Sequence, residues 1–453
     1  MSEISEPRFS WWHLLRLCTF QIGSAMGDIL VTSIWNRIMI VNFGLPALPV
    51  GLLLSLRYLL SPLSLYAGFR SDHTILWGYR RTSYIWLGRA LMVLSLPLLA
   101  LSVGRFDANR NEALGWVLAI ASFLLYGTGT LLSGSPFLAL VRDAMPKARQ
   151  GLAASVVETF LIIMFAVVGI TFSFALKEYS LAGFWELTLA TMVIGGFFWI
   201  FAIAGIEKRV TRAMQQASEK TRAQFAQFRA TFGTILADPR TRAFFIFLAV
   251  ATLAAWMQEA ILEPFGAEVL NATLAQTTRY SSYWQGTTAL VLVIAAIVWR
   301  KRRGEQQVPI AQTGLGIMAL GMFLLAFTSW SGVSWVVNPA LLVFGLGFGL
   351  YTFGGFQLLI VMTSDQAAGA YLGLWTVTIL LSRGLGISLG GALRDLFVML
   401  SGSEALGYAL VFGISALGLF LSIFLLRRVN VTDFARDTGR ISEADAQVIA
   451  AEL

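Results

Sequence analysis

Asp28, Arg57, Glu158, Glu259 and Arg383 fall inside long apolar runs of this 453-residue chain. A charge in such a run is costly unless it meets a partner, water or a ligand, so each of the five is a candidate for ion pairing or proton transfer. Gln21, Ser24, Asp28, Thr32 and Trp35 recur every three or four residues, which places them on one helix face. Arg57 begins a second polar face continued by Ser61, Ser64 and Gly68. The spacing predicts an Asp28–Arg57 pair near mid-membrane. Arg383 is expected to face Glu259 or Glu158. Arg37 lies close enough to its helix end to snorkel toward the interface. No Gly-x-Ser-x-Gly or His-Glu-x-x-His pattern and no cysteine pair occurs; Cys18 stands alone, and His13 and His73 are the two histidines. Hydrolytic, redox and thiolate-metal chemistry are therefore not indicated, and no catalytic or metal-ligating residue is assigned.

Those side chains must be positioned by membrane helices. The chain is 57% hydrophobic and 13% charged, with a mean hydropathy of +0.72, which is too apolar for a soluble domain. Twelve apolar runs lie near 14–42, 47–69, 82–103, 114–141, 150–176, 183–206, 242–266, 281–299, 310–330, 335–362, 368–393 and 404–426. With the N-terminus and even-numbered hinges on one side, 24 of the 33 Lys and Arg gather there and 5 on the other. Both termini are then expected to be cytoplasmic. The net charge of +8 reflects that topology and anionic lipid heads, not nucleic acid.

Asp143 and Gly151 recur as Asp365 and Gly373 at an offset of 222 residues, which implies two pseudosymmetric six-helix bundles. The expected domains are 1–206, a linker at 207–241, 242–428 and a tail at 429–453. Phe225, Phe228 and Phe232 form an amphipathic stripe in the linker, and Ser442 with Asp445 is spaced as a capping box in the tail.

The hinge at 68–81 carries Gly68, Asp72, Gly78, Arg80 and Arg81. This pattern resembles the loop between helices 2 and 3 of the major facilitator superfamily. The resemblance implies an all-α fold of twelve transmembrane helices and a cytoplasmic latch in which Asp72 meets helix ends and basic residues. A narrower resemblance rests on Trp35-Asn36-Arg37 before Gly44 and Pro46, on Arg57 to Pro62, and on Gly78 to Gly88. Its most specific part is Gln258-Glu259 followed by Leu262-Glu263-Pro264-Phe265. Over roughly 9–428 the chain looks like the bacteriochlorophyll-delivery (PucC/LhaA-like) branch of that superfamily.

That branch implies a light-harvesting complex assembly factor of the bacterial inner, intracytoplasmic photosynthetic membrane, and not an enzyme. Bacteriochlorophyll would be its cargo or transient ligand. Implied partners are antenna polypeptides, the pigment or a late precursor, the pigment's synthase and membrane lipids. The candidate pigment or partner site is Trp35, Asn36, Gln258, Glu259, Glu263, Phe265 and His13. Magnesium can also be held through amide, carboxylate or water, so scarce histidine does not exclude pigment. Two alternatives stay open. One is a proton-coupled transporter of a small solute using Asp28, Glu158 and Glu259; the other is a structural membrane partner whose buried charges are packing pairs.

Overall fold

The computed structural model describes residues 9–73, 75–207, 209, 237–299, 308–362 and 368–429, with the side chains of residues 65, 66, 68, 69, 72, 73, 360–362 and 368–370 outside the description. The linker phenylalanines, the tail capping box and the Asp72 side chain thus lie outside the described residues. The described residues form helices joined by turns and loops, with one isolated bridge between Leu76 and Tyr79.

In chain order the helices are α1 (Trp11–Asn42), α2 (Ala47–Leu59), α3 (Pro62–His73), α4 (Thr82–Ala108), α5 (Ala113–Asp143), α6 (Gln150–Ala175) and α7 (Leu181–Ile203). They continue with α8 (Pro239–Trp256), α9 (Leu262–Glu268), α10 (Leu274–Val298), α11 (Val308–Ser331), α12 (Val337–Met362), α13 (Ala368–Ser401) and α14 (Glu404–Arg427). Eleven helical segments among the described residues are long and apolar enough to cross a membrane. The run expected at 242–266 is present but divided, because α-helical geometry gives way to hydrogen-bonded turns at 257–261 between α8 and α9. Pro62, which cannot donate to the preceding turn, likewise separates α2 from α3.

Local chemistry sets the helix ends. Asp238 caps α8 by accepting from Thr241 N at 2.7 Å, with Pro239 in the first turn where no N–H is needed. α10 starts seven residues before the expected 281. Thr273 N donates to Gln276 Oε1 at 2.8 Å and Gln276 N to Thr273 Oγ1 at 3.3 Å, a reciprocal cap. α13 runs past the expected end at 393 because Arg394 and Asp395 are both partnered there and need no water.

Two compact units divide the chain, and the division does not follow chain order. Pro46–Leu52 belongs to the second unit, where Ala47 N and Leu48 N donate to Asp395 at 3.0 and 2.8 Å. Thr273–Ser282 belongs to the first, where Arg279 Nε donates to Ser173 Oγ at 2.9 Å. Glycines allow the tightest helix pairs within each unit. A Cβ on Gly129 of α5 would lie 2.4 Å from Gly88 O of α4, and one on Gly314 of α11 would lie 2.4 Å from Tyr351 N of α12.

Candidate functional site

In the first unit the polar center is built on Asp28. Arg57 Nη1 of α2 hydrogen-bonds its Oδ1, and Tyr126 Oη of α5 donates to the same oxygen at 2.9 Å. The neighbouring glycines permit this convergence: a Cβ on Gly27 would lie 2.7 Å from Tyr126 Oη, and one on Gly127 would lie 3.1 Å from Arg57 Cα. Arg57 also bonds Tyr58 Oη, and its guanidinium lies 4.6 Å from that ring centroid. Arg89 of α4 is buried between Phe20 at 4.3 Å and Trp199 at 4.8 Å, and it interacts electrostatically with Asp28 and Tyr126. Asp28 is therefore held by one direct and one nearby guanidinium and a phenol.

Two acids from outside the hinge at 68–81 hold its described part. Glu207 accepts from the backbone N–H of Arg80 at 2.9 Å, Arg81 at 3.2 Å and Thr82 at 2.7 Å, so it occupies the N-terminus of α4. Arg81 Nε donates to Asp143 Oδ2 at 2.6 Å. The carboxylate at this helix start comes from the end of the sixth span.

In the second unit the center is the break at 257–261. Glu259, on this stretch of turns, takes a two-pronged pair from Arg383 of α13, with Nη2 at 2.8 Å and Nε at 3.1 Å. The guanidinium lies 3.4 Å from the Trp256 ring centroid. Trp256 opens an aromatic array over α8, α10 and α12. Its ring centroid is 5.9 Å from Trp284 and 5.6 Å from Phe348, and Trp284 is 5.6 Å from Phe344. Trp284 and Phe344 are buried, whereas Trp256 and Phe348 keep accessible surface. α13 reaches the break through glycine: a Cβ on Gly386 would lie 2.5 Å from Leu253 O, and one on Gly390 would lie 1.9 Å from Met257 O. Gln258 is buried, and its Oε1 has no hydrogen-bond partner among the described residues.

The remaining expected site residues are distributed over α1 and α9. Trp35 is fully buried with its ring 4.7 Å from Phe123, and Asn36 is buried beside it in the chain. Glu263 and Phe265 are core residues of α9; Phe265 packs 5.2 Å from Phe412 and 5.8 Å from Tyr408. His13 is exposed in the first turn of α1. Arg37 does not snorkel. It is buried and donates to Asn42 at 3.3 Å, in a part of α1 that winds as a π-helix at Leu30–Trp35 and again at Ile38–Asn42. At the 222-residue offset, the break at 257–261 corresponds to 35–39. Both lead helices are thus irregular at equivalent positions, as is common at functional sites.

Glu158 is exposed on α6 and makes no hydrogen bond or ion pair among the described residues. It shares the face of Gly169, about 16 Å along the helix at 1.5 Å per residue. At Gly169 that face meets α10, since a Cβ there would lie 2.2 Å from Ser282 Oγ. A further polar group went unread in the sequence. Arg394 pairs with Glu268 and, at 3.1 Å, with Asp395, while Tyr408 Oη donates to Glu268 at 2.6 Å.

Membrane-crossing helices in this order, with an Asp28–Arg57 pair in one unit and a Glu259–Arg383 pair in the other, define a major-facilitator-type membrane protein. Solved structures share the fold: a POT family transporter in complex with 5-aminolevulinic acid gives a TM-score of 0.70 at 10% identity, covering 94% of this chain and 99% of that one. The nucleoside transporter NupG gives 0.64 at 15% identity, covering 92% and 100%. More specifically, the chain belongs to the PUCC protein family, whose model matches residues 34–434. It is 29% identical to Protein PucC of Rhodovulum sulfidophilum, over 84% of this chain and 85% of that protein. It is 28% identical to the Bacteriochlorophyll synthase 44.5 kDa chain of Rhodobacter capsulatus, over 90% and 92%.

Proposed function

We propose that this protein is a non-enzymatic assembly factor of light-harvesting complexes, which binds bacteriochlorophyll or a late precursor and delivers it to antenna polypeptides. The observation that carries the reading is the aromatic array beside the break in the second unit, in a chain of the PUCC family. A planar macrocycle stacks well on such rings. Its magnesium accepts hard oxygen ligands, and the buried amide oxygen of Gln258 is an unsatisfied donor of that kind. The basic-residue asymmetry supports cytoplasmic termini, and the family supports the intracytoplasmic photosynthetic membrane as the site of action, with the pigment's synthase and membrane lipids as neighbours. The test is bacteriochlorophyll titration of the purified protein. Trp256→Leu with Phe348→Leu removes two accessible rings at roughly 1 kcal/mol each beyond their area, so affinity should fall by at least about tenfold. Unchanged affinity would place the pigment elsewhere.

A second reading, proton-coupled transport of a small solute, is favoured by one observation: Glu158 lacks the ion pair that Asp28 and Glu259 have. Proton coupling needs a carboxylate free to titrate, and Glu158 is the one best placed to do so. Under pigment delivery, Glu158→Gln leaves antenna assembly near the wild-type level. Abolished uptake of a solute by Glu158→Gln vesicles, with wild-type vesicles active, would establish transport instead.

A further inference from the structure

Leu76 and Tyr79 exchange backbone hydrogen bonds at 3.1 and 2.9 Å, closing a two-residue turn in which Trp77 has φ +51° and Gly78 φ +83°. Two successive left-handed residues make a type I′ turn, whose first central position suits Asn or Gly. A bulky aromatic residue there is a conformational outlier. The backbone therefore gives no reason for tryptophan, and the ring itself is left 67% exposed.

The turn is firmly mounted. Ser83 Oγ bonds Leu76 O, and Glu207 holds the next three backbone N–H groups. Tyr79 packs edge-on to Trp86 at 5.8 Å, and Trp86, one turn into α4, is itself 37% exposed. The exposed Arg209 guanidinium lies 5.7 Å from the Tyr79 ring centroid. Among the described side chains, Glu207 is engaged by backbone amides and Asp143 by Arg81, and Arg209 has no carboxylate partner.

We infer that the turn formed by Leu76, Trp77, Gly78 and Tyr79, with Arg209 and Trp86, is a binding site for the headgroup of an anionic phospholipid. The indoles supply amphipathic bodies at the level where a membrane span begins, as interfacial tryptophans do. Arg209 supplies a cation on an aromatic shelf, suited to a phosphodiester. A neutral headgroup leaves that charge unmatched, so the site discriminates by charge. The inference is independent of whether pigment is the cargo.

The experiment is native mass spectrometry of delipidated full-length protein mixed with phosphatidylglycerol or phosphatidylcholine, comparing wild type, Trp77→Asn and Arg209→Gln. Asn suits the left-handed position, so Trp77→Asn should match or exceed the wild-type melting temperature while losing bound phosphatidylglycerol. Arg209→Gln should lower phosphatidylglycerol retention about fivefold, the usual worth of one basic side chain at an anionic surface, and leave phosphatidylcholine unaffected. Millimolar inorganic phosphate should not displace the lipid. The inference is overturned by unchanged phosphatidylglycerol retention in both variants, by equal loss of both lipids, or by displacement with phosphate alone. A lowered melting temperature in Trp77→Asn with retention intact would make the ring a packing element and overturn it too.

Discussion

Asp28→Asn should destabilise the protein by about 3 kcal/mol, the lower end of the range for breaking a buried ion pair. Asp28 keeps 23% of its side-chain surface exposed, which moderates the loss, but Arg57 keeps only 9%. Neutralising Asp28 removes the carboxylate that pairs with Arg57 and acts on Arg89, and leaves Tyr126 without its charged acceptor. The double replacement Asp28→Leu with Arg57→Met removes both members of the pair and should recover much of the stability. Arg89 would still rest on the faces of Phe20 and Trp199. Thermal unfolding of the purified variants checks this. If Asp28→Asn melts like wild type while function is lost, the carboxylate is a ligand group and not a packing pair.

Gly390→Val is expected to be more disruptive than its size suggests. Its Cβ would sit 1.9 Å from Met257 O, a backbone atom of the turns that cannot rotate aside. Overpacking of this kind typically costs about 3 kcal/mol at its upper end. Relief requires moving 257–261, and with it Glu259 and the Arg383 pair. Folding yield and bacteriochlorophyll retention should therefore fall together. Gly413→Ala on α14 is the control, since nothing lies within 4 Å of its would-be Cβ. Replacing a helical glycine there should stabilise by roughly 0.5–1 kcal/mol. A Gly390→Val protein that folds and binds pigment normally would show that the break tolerates displacement.

The interior charges were the most legible part of the sequence. A charge within a membrane span must find a partner, and few partners exist, so position pointed to Asp28 with Arg57 and to Arg383 with Glu259 or Glu158; the fold selects Glu259. Neutral polar residues make no such demand. Tyr126 looked like an ordinary residue of a glycine-rich helix until the fold brought it to Asp28. The acids of the hinge were obscured for a different reason: Asp143 and Glu207 arrive from 62 and 126 residues beyond Arg81, and spacing within one loop carries no trace of that. Some signals were present but outweighed. Thr273 and Gln276 have capping-box spacing, yet the polar stretch around them read as loop. Arg394 and Asp395 suggested a helix end, although their partners on Glu268 and the α2 start keep α13 intact. Glu263 and Phe265 were legible as a motif but not as a packing arrangement. The motif picked out the segment, but only the packing of the seven-residue α9 revealed that both side chains point into the core.

Deletion of the gene from its host, followed by near-infrared absorbance of the membranes, tests bacteriochlorophyll delivery most directly. Antenna polypeptide synthesis should be followed in parallel, so that loss of complex is not confused with loss of its subunits. The predicted result is strongly reduced antenna absorbance while the polypeptides are still made, restored by the wild-type gene and not by the Trp256→Leu, Phe348→Leu double variant. Normal antenna absorbance in the deletion strain would contradict the proposed function.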